Sequence, residues 1–105
     1  SGKERQNKLM GQITILVNYK AKHETREIFV NEVIESEILD KIKKEDGFIS
    51  YEYFYNVTNS DSLLLVEKWI SEEKQQQHLK TEHMKKLKAI KEKYILETDV
   101  QSFRK

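Results

Sequence analysis

The 105-residue sequence contains no cysteine, no proline and only three glycines. The missing thiols exclude a disulfide scaffold, thiolate zinc sites, iron–sulfur clusters and a cysteine nucleophile. With no proline and so little glycine, successive elements must be joined by tight polar turns. No apolar run approaches the roughly 18–20 residues that span a bilayer, and no signal-peptide pattern opens the chain. These absences predict a soluble cytoplasmic domain that engages no membrane. Apolar side chains are scarce too, at 37% hydrophobic against 35% charged, where roughly 45–50% and 25% are usual. A domain of this length already buries only about two-thirds of its surface. So thin a core predicts that the fold is either marginal alone or borrows apolar contact from a second chain. Nineteen basic and eighteen acidic residues leave a net charge of +1, which gives no general grip on nucleic acid.

Residues 1–11 (SGKERQNKLMG) are polar and aperiodic, and read as a flexible start partly foreign to the domain. Residues 12–105 read as one domain. In residues 12–20 (QITILVNYK), Ile13, Ile15, Val17 and Tyr19 share one face, and Thr14, Leu16 and Asn18 the other. That alternation predicts a strand covered on both sides. Residues 24–45 predict one helix; Val30, Val33, Ile34, Glu37 and Lys41 cluster on one side, and Ile38 and Ile42 widen the apolar arc. Asp46-Gly47 stops it, glycine suiting the left-handed conformation after a helix.

Residues 48–57 (FISYEYFYNV) are an aromatic-rich strand, with Tyr51, Tyr53 and Tyr55 on one face and Phe48 and Phe54 on the other. Asn59-Ser60-Asp61 makes a turn into a third strand over 62–70 (SLLLVEKWI). Ser71 is a good N-cap, with Glu72 and Glu73 at the positive end of a second helix. That helix is predicted to run to about residue 93, with Leu79, His83, Leu87, Ile90 and Tyr94 as its inner stripe. Residues 95–103 (ILETDVQSF) form a last strand. The order β-α-β-β-α-β predicts a ferredoxin-like α+β protomer, an antiparallel sheet with both helices on one face. The uncovered face still carries apolar residues, so a homodimer through sheet faces is expected.

No glycine-rich phosphate loop, GxSxG elbow or dinucleotide fingerprint occurs, which removes nucleotide chemistry. The sequence has three histidines, His23, His78 and His83. His78 and Glu82 have a metal-compatible spacing, but no third ligand is evident and a solvated polar face accounts for them; no metal is expected. His83 falls within the apolar stripe, as a core histidine with a satisfied hydrogen bond would. His23 falls at a strand-to-helix turn and reads as structural or surface. Trp69 shares a strand face with Glu67 and Leu65; an indole beside a carboxylate and an imidazole suits a planar hydroxylated ligand, whereas packing alone would leave Glu67 at an exposed edge. The tyrosine ladder stabilises a sheet or lines a cavity. It lacks the basic surround of a base-stacking surface.

Three stretches in order resemble the antibiotic-biosynthesis monooxygenase-like family: 20–29 (KAKHETREIF), 45–51 (EDGFISY, an E-x-G-x-x-x-Y helix end) and 65–84 (LVEKWISEEKQQQHLKTEHM). The last combines a Glu-x-Trp strand end, an acidic helix start and two histidines five apart. The resemblance spans roughly residues 12–103. It implies a dimeric α+β barrel of two ferredoxin-like protomers, and small oxygenases that oxidise quinols or phenols with no metal, flavin or other cofactor. It maps Trp69, His78 and His83 to pocket positions, with Tyr51, Glu67 and Asn18 as further substrate-binding candidates. Because His78 falls off the apolar stripe of its helix, it is expected at the pocket rim. Asp46 stands where many relatives carry proline, which alters the turn rather than the site.

The implied chemistry is proton removal from an enclosed phenol by a histidine, His78 first and His83 second, with Trp69 stacked on the ring. Electron transfer to dioxygen and collapse of a hydroperoxide to a quinone would follow. The alternatives are a non-catalytic dimeric module holding a small aromatic ligand, or oxygen-independent processing of a hydroxylated metabolite. Haem degradation ranks last, because the second helix offers no histidine after His83 to ligate iron.

Overall fold

The computed structural model describes residues 11–105, so the expectation for the polar start falls, but for Gly11, outside the described residues. The elements run β1 (Ile13–Ala21), α1 (Arg26–Glu35), α2 (Ile38–Lys43), β2 (Phe48–Tyr55), β3 (Ser62–Trp69), α3 (Glu72–His78), α4 (Glu82–Tyr94) and β4 (Ile95–Arg104). The four strands form one antiparallel sheet in the order β2-β3-β1-β4. This is the ferredoxin-like α+β arrangement. Among the described residues no helix is long and apolar enough to cross a membrane.

The alternation in β1 and β3 decides which side of the sheet is covered. Ile13, Ile15, Val17 and Tyr19 are buried with Leu63, Leu65, Glu67 and Trp69, their register neighbours on β3. Phe29, Val30, Val33, Ile38, Ile42, Leu87 and Ile90 close over them from the helices. The other side, with Asn18 on β1 and Phe54 on β2 among its residues, has no helix above it among the described residues.

Each of the two long helices expected from the sequence is two helices. The first breaks at Glu37, whose φ of 66° is left-handed. A continuous helix burying Phe29 and Val33 would next turn Glu37 and Lys41 inward. The break re-phases the chain so that Ile38 and Ile42 enter the core instead, while Ile34 is left half exposed at 53%. Ser36 closes the kink, donating to the Val33 carbonyl at 2.7 Å.

The second helix breaks between His78 and Glu82. Ser71 caps α3, accepting from the Lys74 amide at 3.1 Å, and Thr81 caps α4, accepting from the Met84 amide at 3.4 Å. At about 100° per residue, nine residues of unbroken helix would place His78 opposite Leu87. The break brings both to the buried side, and turns Leu79, expected on the inner stripe, half outward at 48% exposure.

A register shift between Phe48 and Ser50 alters β2 in the same way. Phe48 therefore turns to the covered face and meets Trp69 edge-on at 5.8 Å, rather than pointing away with Phe54. The expected stop at Gly47 holds, with φ of 86°. A Cβ there would lie 2.5 Å from Lys74 Cβ and Cγ, so glycine is what lets this turn seat against α3. One anchor has no sequence signature: buried Arg26 donates through Nη1 to the carbonyls of Asn56, Asn59 and Ser62 at 3.0–3.1 Å, tying α1 to the β2–β3 turn.

Candidate functional site

The covered face of the sheet, α3 and α4 border a half-open pocket of about 170 Å³. Its wall includes Ile15, Val17, Tyr19, Tyr51, Glu67 and Lys91. An apolar cavity of about 150 Å³ accommodates benzene, so the space fits one small ring. Burial acts on every titratable group in that wall. It pushes the Tyr51 and Tyr19 phenols well above their ordinary range, raises the Glu67 carboxyl and lowers the Lys91 ammonium, in each case by disfavouring the charged form.

Behind Glu67 stands a chain of polar groups. Trp69 Nε1 donates to Glu67 Oε1 at 2.9 Å. The same oxygen lies 3.9 Å from His78 Nε2. The indole and the imidazole overlap with centroids 4.5 Å apart, tilted by 36°, and Tyr51 meets the imidazole edge-on at 6.0 Å. On its other side His78 Nδ1 is 2.7 Å from Glu45 Oε2, and His83 Nε2 is 2.8 Å from that same oxygen.

A carboxylate accepts from both rings, which puts the His78 proton on Nδ1. Nε2 is then a lone pair, fully buried and with no hydrogen-bond partner among the described residues, 3.9 Å from a carboxylate oxygen. Two acceptors thus stand near one another across a gap longer than a hydrogen bond. Glu45 thereby fixes the tautomer of the His78 ring.

His78, Glu67, Trp69 and Tyr51 are thus brought together, with His83 joined to them through Glu45. Several placements correct the sequence expectations. His78 is fully buried rather than at a rim, because the α3–α4 break swings it inward. Glu67 is buried on the covered face, not at an exposed edge. Trp69, also fully buried, stands behind the cavity wall and holds Glu67 instead of facing the cavity. Asn18 is exposed on the opposite face of the sheet, in surface hollows beside Ser62, and is not brought to this site. Glu82 is exposed and pairs with Lys85 at 2.9 Å rather than with His78. His23 stays on the surface near Asp61.

Glu45 is the site residue that sequence reasoning passed over. It lies within the EDGFISY stretch, and it is the only acidic residue there other than the turn residue Asp46. Lys91 and Tyr19 were also missed, because an amphipathic pattern does not reveal which polar groups border a void.

A family profile described as antibiotic biosynthesis monooxygenase matches residues 12–90. No curated protein matches the chain. Among solved structures, a conserved protein of Methanosarcina mazei Go1 is 26% identical, with a TM-score of 0.80 over 91% of this chain and 94% of that one. A Bacteroides thetaiotaomicron protein of unknown function, described as a possible oxidoreductase, is 24% identical at TM-score 0.80, covering 91% and 99% of the two chains. A candidate antibiotic biosynthesis monooxygenase of Caulobacter crescentus CB15 is 16% identical at TM-score 0.83, covering 98% and 97%.

Proposed function

The chain belongs to the antibiotic biosynthesis monooxygenase family, and from that premise we propose that it is a cofactor-free monooxygenase acting on a single-ring phenol or hydroquinone. The observation that carries this assignment is Glu67 at the cavity wall with the unpartnered Nε2 of His78 3.9 Å behind it. The pocket volume of about 170 Å³ is enough for one ring.

Glu67 accepts the phenolic proton and passes it to His78 Nε2, held in its accepting tautomer by Glu45, when the two groups close from 3.9 Å to hydrogen-bond distance. The phenolate passes one electron to dioxygen. The radical pair joins at a ring carbon as a hydroperoxide, whose O–O bond breaks as the proton on that carbon leaves. One oxygen atom stays on the ring as a quinone carbonyl and the other departs as water, so substrate and dioxygen balance quinone and water. The protein contributes enclosure, alignment and a proton acceptor whose basicity burial has raised. We further propose that two protomers pair through their uncovered sheet faces, which complete the core that one chain lacks.

Oxygen uptake by metal-stripped protein with a panel of single-ring hydroquinones and phenols tests the assignment. Uptake above autoxidation is expected, and Glu67→Gln and His78→Gln should each reduce it about 10²–10⁴-fold, as for loss of a general base. Uptake indifferent to both substitutions would remove the mechanism. Ligand binding without uptake would make this a binding module.

A further inference from the structure

The hydrogen-bonded cluster behind the cavity has a second capacity, independent of the oxygenase assignment. Glu45 follows α2, His78 ends α3 and His83 lies in the first turn of α4, so three separate segments deliver one donor atom each. Those atoms all lie within 4.8 Å of one another. We propose that Glu45, His78 and His83 bind a divalent first-row cation of the zinc class.

Two imidazoles and one carboxylate are a borderline-soft donor set that suits zinc, while calcium and magnesium would require mainly oxygen ligands. Three protein ligands leave a fourth position for water. At bond lengths of roughly 2.0–2.1 Å, tetrahedral ligands stand about 3.4 Å apart. The carboxylate oxygen already sits 2.7 and 2.8 Å from the two ring nitrogens, so an ion enters by small outward shifts. The Glu45 and His83 side chains are 12% and 13% exposed against 0% for His78, which gives the ion a route from solvent to a buried ligand.

The His78 Nε2 atom, buried and unpartnered among the described residues, supports the same assignment independently. With Nδ1 on a metal, the ring keeps its neutral charge by carrying its proton on Nε2, and that N–H points toward Glu67 Oε1, now 3.9 Å away. A metal-bound histidine backed by a carboxylate is the usual supporting arrangement, and Glu67 is itself oriented by Trp69. Metal at Nδ1 converts Nε2 from proton acceptor to donor, so ion binding and proton acceptance at His78 exclude each other.

Calorimetric titration of untagged, metal-stripped protein with Zn²⁺, and the visible spectrum of its Co²⁺ complex, test the site. One ion per chain and tetrahedral-type cobalt bands are expected. Glu45→Gln and His83→Asn, chosen because both side chains are partly exposed, should each weaken binding at least tenfold with the circular dichroism spectrum unchanged, while His23→Ala should have no effect. Absence of stoichiometric binding, binding that survives both substitutions, or binding lost with His23 would overturn the proposal. None of these readouts depends on turnover, so failure here leaves the oxygenase assignment standing, and the reverse.

Discussion

Both faces of the sheet carry apolar side chains, but the two faces lie in different media. On β1, Ile13, Ile15, Val17 and Tyr19 are 2–5% exposed beneath the helices, while Asn18 between them is exposed on the far side. The candidate-site groups whose protonation burial displaces all lie on the covered side of the sheet, because loss of water is what displaces them. The uncovered face offers apolar area, Phe54 at 48% and Phe103 at 53% exposure among it, which is material for association. The proposed chemistry and the proposed assembly would thus be separated by one layer of backbone.

The largest expected break in that comparison is Trp69→Ala. It removes a fully buried indole and leaves Glu67 Oε1 without its donor. Loss of a large aromatic from a core costs about 3–5 kcal/mol, read as a lower denaturant midpoint; a midpoint within experimental scatter of the parent would show that the covered face is not a packed core. Next comes Leu16→Asp on the uncovered face. Light scattering should show the parent at twice 12.6 kDa and the variant at 12.6 kDa, with the fold kept because Leu16 lies outside the buried cluster. A parent already at the monomer mass defeats the sheet-face dimer.

The smallest effect sharpens the contrast through pH. Burial raises the Tyr19, Tyr51 and Tyr53 phenols above their ordinary values. A raised folded-state pKa means that stability is fully present below the unfolded value of about 10 and is lost as pH climbs above it toward the folded value. Each tyrosine then subtracts about 1.4 kcal/mol per pH unit. Denaturation midpoints measured from pH 8 to 11.5 should therefore fall at the alkaline end, and less steeply for Tyr51→Phe. A flat profile would mean that the phenols are hydrated.

Much of the fold was legible because it depends on local rules. Period-two alternation marked β1 and β3, and Asp46-Gly47 and Ser71 marked a helix end and a helix start. The break in the first helix left a trace too, since Glu37 and Lys41 fell on the same side as Val30 and Val33, a conflict that a kink resolves. No such conflict marked the break after His78, because an outward histidine on a polar helix face breaks no rule. The site was legible in part: His78, His83, Glu67, Trp69 and Tyr51 were candidates, but their depths were misjudged and Glu45 was absent.

The sequence by itself determined the strand and helix order, the thinness of the core and the exclusion of thiol chemistry, since these follow from composition and from spacing along the chain. Only the tertiary structure decided that His78 is buried, that Glu45 unites two imidazoles 33 and 38 residues away, and that Asn18 faces away from them. Those outcomes depend on where helix breaks and a strand bulge re-phase the chain, and a break of one or two residues turns a side chain from water to core.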